Sequence, residues 1–134
     1  MTTLYIIRGI PGSGKSTLAK TLQKENVIEN FFEADMYFVE FGGYNFNPSK
    51  IKYAHEWCFM SVVNSLMGEA DTAVSNTFTQ KWEAQRYIDF CKENEIDVHI
   101  ITCTNEYGSI HAVPEESMKK MRDRFETDTS GWLK

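Results

Sequence analysis

Residues 4–22 read LYIIRGIPGSGKSTLAKTL, which sets an apolar stretch, a glycine-rich turn and a helical pattern in direct succession. The first five of these residues are rich in β-formers and predict a short buried strand. Residues 9–16 match the pattern G-x-x-x-x-G-K-S/T, and Leu18, Ala19 and Leu22 then fall on one face of a helix. Because the pattern follows a strand and opens a helix, it lies where a phosphate-binding loop requires it.

The residues of this loop predict how it holds a nucleotide. Glycines let the backbone wrap a phosphate with its N–H groups pointing inward, and the helix N-terminus adds partial positive charge. We expect Lys15 to reach the β- and γ-phosphates, Ser16 to bind Mg²⁺ and Thr17 to contact the α-phosphate. The full set of expected nucleotide-binding residues is Gly12, Ser13, Gly14, Lys15, Ser16 and Thr17. Phosphoryl transfer is a separate hypothesis, since a loop that binds phosphate need not transfer it.

Length, composition and charge limit the class of protein. The chain has 134 residues, of which 42% are hydrophobic and 25% charged, as in ordinary globular proteins, and this length predicts one domain over residues 1–134. A net charge of −5 excludes a binder of nucleic acid that is basic throughout, but not a local basic patch. The start of the chain has no signal-peptide pattern, and no apolar run is long enough for a membrane span. We therefore expect a cytoplasmic protein without membrane contact.

The three cysteines predict neither a metal site nor a disulfide framework. Cys58, Cys91 and Cys103 are odd in number and widely spaced, and no CxxC or Cys/His cluster occurs. Buried thiols in a reducing compartment are the simplest interpretation.

Strand patterns alternate with helix patterns along the rest of the chain. This alternation predicts an α/β fold with a parallel sheet, in which ligands bind at the carboxyl ends of the strands. An apolar segment ends at Asp35, and a helix starting near Asn47 and Pro48 carries a buried stripe at four-residue spacing. That helix is predicted over residues 49–67. The other predicted strands cover residues 72–74 and 96–103, and the other helices cover the region around 84–91 and the segment after Pro114.

Asp35 is the first candidate for a catalytic group. It comes just after the second strand, where a carboxylate can accept the proton of a hydroxyl acceptor. Aspartate is also a favoured helix N-cap, and the spacing alone does not separate the two hypotheses.

The third strand ends in Ser75-Asn76-Thr77 and has no carboxylate, although a carboxylate that orients Mg²⁺ normally ends a strand. Ser75, Asn76 and Thr77 can hold a metal-bound water, more weakly than a carboxylate would, and Asn76 and Thr77 are also candidates for contact with substrate. The alternative is an ordinary Asn/Thr turn.

A lid-like segment at about residues 104–114 and the helix after it hold the remaining candidates. His111 lies in this segment and is a candidate for contact with phosphate or substrate. Arg122 follows in the one concentrated basic stretch and is expected to offset charge on the migrating phosphoryl group. The alternative for this stretch is a solvated helix face, because acidic residues surround it.

Five segments in order carry a family resemblance: RGIPGSGKSTLA, EADMYF, GGYNFNPSKIKYAHEWC, SNTFTQKWEAQRYIDF and HAVPEESMKKMRDRFE. The chain resembles, over about residues 4–126, the small P-loop ATPases related to the kinase domain of phage 5′-polynucleotide kinase. The resemblance implies a three-layer fold with an adenylate-kinase-like parallel sheet, and it implies ATP-dependent phosphorylation of a hydroxyl. It also carries the family's general base to Asp35 and the phosphate-loop roles to Lys15, Ser16 and Thr17.

The chain departs from that family at three points. Where the family has S-D-T-N or D-N-T-N at a strand end, this chain has SNTF with Phe78 in the last place. Phe38 stands where the phage enzyme has an arginine three residues after its base. No arginine immediately precedes the V-P pair at Val113 and Pro114, where the phage enzyme has its lid arginine.

The expected function is that of an ATP- and Mg²⁺-dependent kinase acting on a hydroxyl, with the 5′ end of a nucleic acid as acceptor. One alternative is a nucleoside or small-molecule kinase, which the acidic surface favours. Another is a regulatory module that binds a nucleotide without transferring phosphate, which the missing strand-end carboxylate favours. The sequence does not predict an oligomeric state.

Overall fold

The computed structural model describes residues 1–40, 43–44, 47–105 and 114–134. Six strands and four α-helices, with two 3-10 helices, alternate along these ranges. In chain order they are β1 (Thr3–Arg8), α1 (Lys15–Lys24), β2 (Asn30–Phe32), a 3-10 helix (Ala34–Phe38), β3 (Val39–Glu40), β4 (Gly43–Tyr44), a 3-10 helix (Pro48–Lys50), α2 (Ile51–Met67), β5 (Thr72–Asn76), α3 (Lys81–Glu93), β6 (Asp97–Thr102) and α4 (Glu115–Arg124).

Four strands form the main sheet in the order β2-β5-β1-β6, and every pair is parallel. Arg8 at the end of β1 lies opposite Asn76 of β5 and Thr102 of β6. The carboxyl ends of all four strands therefore meet at one edge, beside the glycine-rich loop. The parallel sheet predicted from the alternating pattern is confirmed.

Different helices cover the two faces of the sheet. Leu4, Ile6 and Val74 pack in the cluster that contains the buried residues of α2 and α3. Ile7 and Ala73 pack with Ala19 of α1 on the opposite face. This alternation follows from the two-residue period of a strand, and it gives the three layers, helix, sheet and helix, that the family resemblance implies.

Local sequence signals determine where the 3-10 helix that leads into α2 begins. The Asn47 side chain accepts a hydrogen bond from the Ser49 N–H at 3.0 Å, and Pro48 stands at the first helical position. The buried residues of α2 are Ala54, Cys58, Val62 and Leu66, spaced by four. The predicted cap therefore begins the 3-10 helix, and α2 follows with Lys50 at its N-cap position. The apolar stripe is confirmed at these four positions, but Ile51, the first apolar residue of the predicted stripe, is 41% exposed.

None of the helices in the described ranges combines the length and apolar character that a membrane span needs. Of the cysteines, Cys58 and Cys91 are buried and Cys103 is half-buried, and all are free thiols. Burial raises the pKa of the Cys91 thiol to about 12.

Arg8 ties the C-terminal residues to the sheet, and it is fully buried. Its guanidinium donates to the carbonyls of Phe78 at 2.9 Å and Glu126 at 2.6 Å. It also contacts two rings, with its guanidinium carbon 4.0 Å from the centroid of Phe125 and 4.5 Å from that of Trp132. Burial lowers the pKa of Arg8, and nearby carboxylates partly oppose this shift. The residue directly before the phosphate loop thus anchors the end of the chain.

Candidate functional site

The phosphate loop has the backbone that its glycines predict. Gly12 and Gly14 adopt φ values of 82° and 95°, in the left-handed region that glycine enters at little cost. At Gly9 the limit is space, because a Cβ there would lie 2.3 Å from Ser13 Oγ and 2.8 Å from the Cys103 carbonyl oxygen. The loop therefore requires glycine at these three positions for two different reasons.

Lys15 lies folded over this loop. Its Nζ donates to the Ile10 carbonyl at 3.1 Å. Burial lowers the pKa of Lys15, and the negative charges of Glu33 and Asp35 partly restore it. A half-buried ammonium that donates to a loop carbonyl and lies in the field of two carboxylates is well suited to exchange that carbonyl for a phosphate oxygen.

Ser16 contacts a carboxylate that the sequence pattern does not single out. Its Oγ donates to Glu33 Oε1 at 2.7 Å. Burial raises the pKa of Glu33, while the Ser16 hydrogen bond and the Lys15 charge oppose the shift. One signal could have found Glu33, since it directly follows the apolar pair at the carboxyl end of β2. A carboxylate and a hydroxyl are ligands that Mg²⁺ prefers, so these residues fit a magnesium ion.

Asp35 lies in the 3-10 helix that follows β2, two residues beyond Glu33, and is exposed to solvent. The N-cap position of that helix is Glu33, and Asp35 lies in its first turn. The strand end and the helix bring both carboxylates to the edge of the sheet that holds the phosphate loop.

Asn76 holds the segment that carries these carboxylates. Its Oδ1 accepts a hydrogen bond from the Ala34 N–H at 2.9 Å, and its Nδ2 donates to Cys58 Sγ at 3.8 Å. Asn76 therefore points to the face of the sheet covered by α2. Thr77 holds the start of the phosphate loop, since its carbonyl accepts from the Gly9 N–H at 3.2 Å. Both residues support the site through contacts within the chain.

A cleft of about 460 Å³ runs from the phosphate loop along α1. This volume is in the range of small-molecule sites, which span roughly 300–1,000 Å³. The cleft is lined by Ser13, Gly14, Thr17, Leu18, Thr21, Cys103 and Asn105. The cleft thus joins the glycine-rich loop to the first turns of α1.

The candidates near the end of the chain are less closely gathered. Arg122 forms an ion pair with Glu115 on the exposed surface of α4. Arg124 instead donates to Thr79 Oγ1 at 3.2 Å, close to the start of α3. His111 and most of the predicted lid, residues 106–113, lie outside the described residues.

The strand order, the phosphate loop and the helices on both faces define a P-loop kinase-like protein. A family profile described as an AAA domain matches residues 4–110, and the chain belongs to this family. NEDD4-binding protein 2 of Homo sapiens is 32% identical over 102 residues, which are 71% of this chain and 5% of that protein. The chain therefore spans a small part of this relative.

Two solved structures share the fold at lower identity. A chain of the Pnkp1/Rnl/Hen1 complex superimposes with a TM-score of 0.64 and 21% identity, over 89% of this chain and 38% of that one. A gluconokinase from Sinorhizobium meliloti 1021 gives a TM-score of 0.62 and 14% identity, over 96% of this chain and 77% of that one. Both likenesses concern the fold, and both neighbours are consistent with a P-loop kinase architecture.

Proposed function

We propose that the protein is an ATP-dependent kinase that transfers the γ-phosphoryl group to a hydroxyl, the 5′-hydroxyl of a polynucleotide. The observation that carries this proposal is the grouping of Lys15, Ser16 and two carboxylates, Glu33 and Asp35, at the carboxyl ends of β1 and β2. A phosphate-binding cation beside an exposed carboxylate is what hydroxyl phosphorylation needs.

In the proposed reaction the acceptor oxygen bonds to the γ-phosphorus while the bond to the β–γ bridging oxygen breaks, leaving ADP. Asp35 accepts the hydroxyl proton. Lys15 leaves the Ile10 carbonyl and offsets the charge of the phosphates. Magnesium bound at Ser16 would neutralise phosphate charge. Arg122 adds positive charge once its pair with Glu115 has opened.

Two lines of support favour a polynucleotide acceptor. One is the family resemblance in the EADMYF and HAVP segments. The other is the likeness to a chain from a structure described as an RNA repair complex, with a TM-score of 0.63 and 21% identity.

A small-molecule kinase is the second candidate. The likeness to a gluconokinase supports it, as does the net charge of −5, because an acidic surface repels a polynucleotide unless a basic groove intervenes.

Labelled phosphate distinguishes the candidates. The protein is incubated with γ-labelled ATP and Mg²⁺, alone and with 5′-hydroxyl DNA, 5′-hydroxyl RNA, nucleosides and simple sugars. We expect label on an oligonucleotide. Asp35→Asn should lower the transfer rate about 100-fold or more while ATP affinity stays within about twofold. Lys15→Ala should weaken both binding and transfer.

Asp97→Asn is the matched control, because Asp97 begins β6 at the opposite edge of the sheet and its loss should leave transfer unchanged. Label found on nucleosides or sugars alone would replace the polynucleotide by a small acceptor. ATP binding without transfer to any acceptor would favour the regulatory module.

A further inference from the structure

The strand end that normally offers a carboxylate to Mg²⁺ offers none here. β5 ends at Asn76, whose side-chain oxygen accepts from the Ala34 N–H at 2.9 Å and whose amide nitrogen faces Cys58. Asn76 belongs to the face of the sheet that α2 covers, whereas Ser16 lies at the start of α1 on the other face. The acidic component of a magnesium site has to come from elsewhere.

Strand register points to Glu33 as that component. Phe31 pairs with Ala73 and Phe32 with Val74, and Phe31 packs on the α1 side of the sheet. Continuing the alternation by one residue turns Glu33 to the α1 side. The hydrogen bond of 2.7 Å from Ser16 Oγ agrees with this direction.

The bond between Ser16 and Glu33 prepares the serine oxygen for a metal. A hydroxyl has one proton and two lone pairs. Since the proton is donated to Glu33, the lone pairs remain for a cation. Glu33 also brings a negative charge to the oxygen that would bind Mg²⁺.

Ser75 provides a second, independent observation. The continued register sets it beside Glu33, on the same face as Ala73 and next to Ile7 of β1. Its side chain is 1% exposed, and its Oγ has no hydrogen-bond partner within the described residues. A buried hydroxyl without a partner is costly and calls for a missing water or ion.

We propose that Glu33 and Ser75 complete the magnesium site that Ser16 begins, with Glu33 supplying the carboxylate absent from the end of β5. This inference rests on the proposed function, since the ion arrives with the nucleotide. Glu33 acts as a positioning residue through Ser16, and the Ser75 hydroxyl holds a water of the ion. Within the described ranges no three His, Cys, Asp or Glu side chains group as a metal site. A P-loop magnesium draws its other ligands from phosphates and water.

The test measures affinity and requires no turnover. A non-hydrolysable ATP analogue is titrated into each variant by calorimetry, once with EDTA and once with Mg²⁺, and the ratio of the two affinities is the magnesium gain. Glu33→Gln keeps an oxygen that can accept from Ser16 but removes the charge. We expect its binding in EDTA to match the wild type within about threefold and its magnesium gain to fall about tenfold or more.

The Ser75→Ala variant distinguishes a loss of magnesium binding from a loss of stability. Because it removes an unpartnered buried hydroxyl, the melting temperature should stay equal or rise. The magnesium gain should nevertheless fall about threefold, as for the loss of one water-mediated hydrogen bond. Glu29→Gln, an exposed glutamate just before β2, is the matched control and should keep the full gain.

The outcomes distinguish this inference from the proposed function. A Glu33→Gln variant that melts like the wild type and keeps its magnesium gain within about twofold overturns the assignment of Glu33 but leaves nucleotide binding intact. A wild-type chain that binds the analogue without any magnesium gain also overturns the proposed magnesium site and leaves nucleotide binding intact. A wild-type chain that binds no analogue under either condition overturns the proposed function and this inference together.

Discussion

The first glycine of the phosphate loop lies closer to its neighbours than any side chain allows. An added Cβ at Gly9 would meet Ser13 Oγ and the Cys103 carbonyl oxygen. The serine can rotate, but the carbonyl belongs to the backbone and follows β6. Gly9 therefore lets the phosphate loop approach the end of β6 closely. Glycine is needed at this position because there is no space for a side chain, and not because of its backbone φ.

Gly9→Ala should destabilise the fold by about 1–3 kcal/mol, because the loop or the end of β6 has to move. ATP affinity should fall with it, since the same movement displaces the phosphate cradle. Urea denaturation and calorimetric titration measure the two effects. Gly131→Ala is the matched control, as nothing lies within 4 Å of the position of its Cβ. Equal stability of the two variants would contradict the explanation.

At the scale of the secondary-structure elements, two connections at the carboxyl end of β5 arrange the site. Phe78 adopts φ of 41°, unusual for a bulky residue and typically costing about 1–3 kcal/mol. Its ring packs edge-on against Tyr87, with centroids 5.7 Å apart, and its carbonyl accepts from Arg8. The resembled family has asparagine at this place, a residue that adopts positive φ more readily. Core packing compensates for that choice here.

The second connection is the hydrogen bond between Asn76 and the Ala34 N–H. Asn76→Ala should lower the free energy of unfolding by about 1–2 kcal/mol, because it leaves a half-buried N–H without its acceptor. Asn30→Ala is a suitable comparison, since its amide donates to Ser65 Oγ at 3.0 Å on the surface and should cost under about 0.5 kcal/mol. Chemical denaturation of both variants tests the difference, and equal losses would disprove it.

At the scale of the whole molecule, Arg8 joins parts of the chain that are far apart in sequence. Besides the carbonyls of Phe78 and Glu126, it donates to Thr102 Oγ1 at 3.2 Å and to the Thr79 carbonyl at 3.3 Å. The ring contacts with Phe125 and Trp132 add a second kind of attraction. The C-terminal residues are thus held to the same edge of the sheet as the phosphate loop.

Arg8→Met should cost about 2–4 kcal/mol, because it leaves buried carbonyls without donors and removes the ring contacts. Arg86→Met is the matched control. Like Arg8, Arg86 combines hydrogen-bonding partners with a ring contact: it pairs with the Glu56 carboxylate at 3.0 Å and lies 3.8 Å from the Phe59 ring centroid. These contacts lie at the surface. Its loss should cost under about 1 kcal/mol.

Denaturation curves measure both arginine variants, and limited proteolysis reports whether the C-terminal residues detach in Arg8→Met. A C-terminal segment that stays protected in this variant would contradict the anchoring assigned to Arg8.

Periodic patterns and local caps are sufficient to predict most of the architecture. Three features depend only on neighbours within a few residues: the apolar run before Gly9, the stripe of α2 and the cap at Asn47. Such local features can be predicted from the sequence alone. The same is true of the phosphate loop, whose glycines and lysine act within one turn. Of the candidate site, only the phosphate loop can therefore be predicted from the sequence.

The contacts between the loop and the rest of the chain depend on which strands become neighbours in the sheet. Glu33 and Ser16 are 17 positions apart, and Arg8 and Glu126 are 118 apart, so no local pattern reports either contact. Asn76 resembles a site residue in sequence, yet its side chain supports the carboxylates from the opposite face.

The chain's own pattern predicts the α/β fold and the glycine-rich loop with Lys15 and Ser16, because each of those features is built from adjacent residues. The tertiary structure alone decides that β2 lies beside β5, turns Glu33 towards Ser16 and buries Arg8 beneath the end of the chain. Strand order and side-chain facing are settled by long-range packing, which has no counterpart in local spacing.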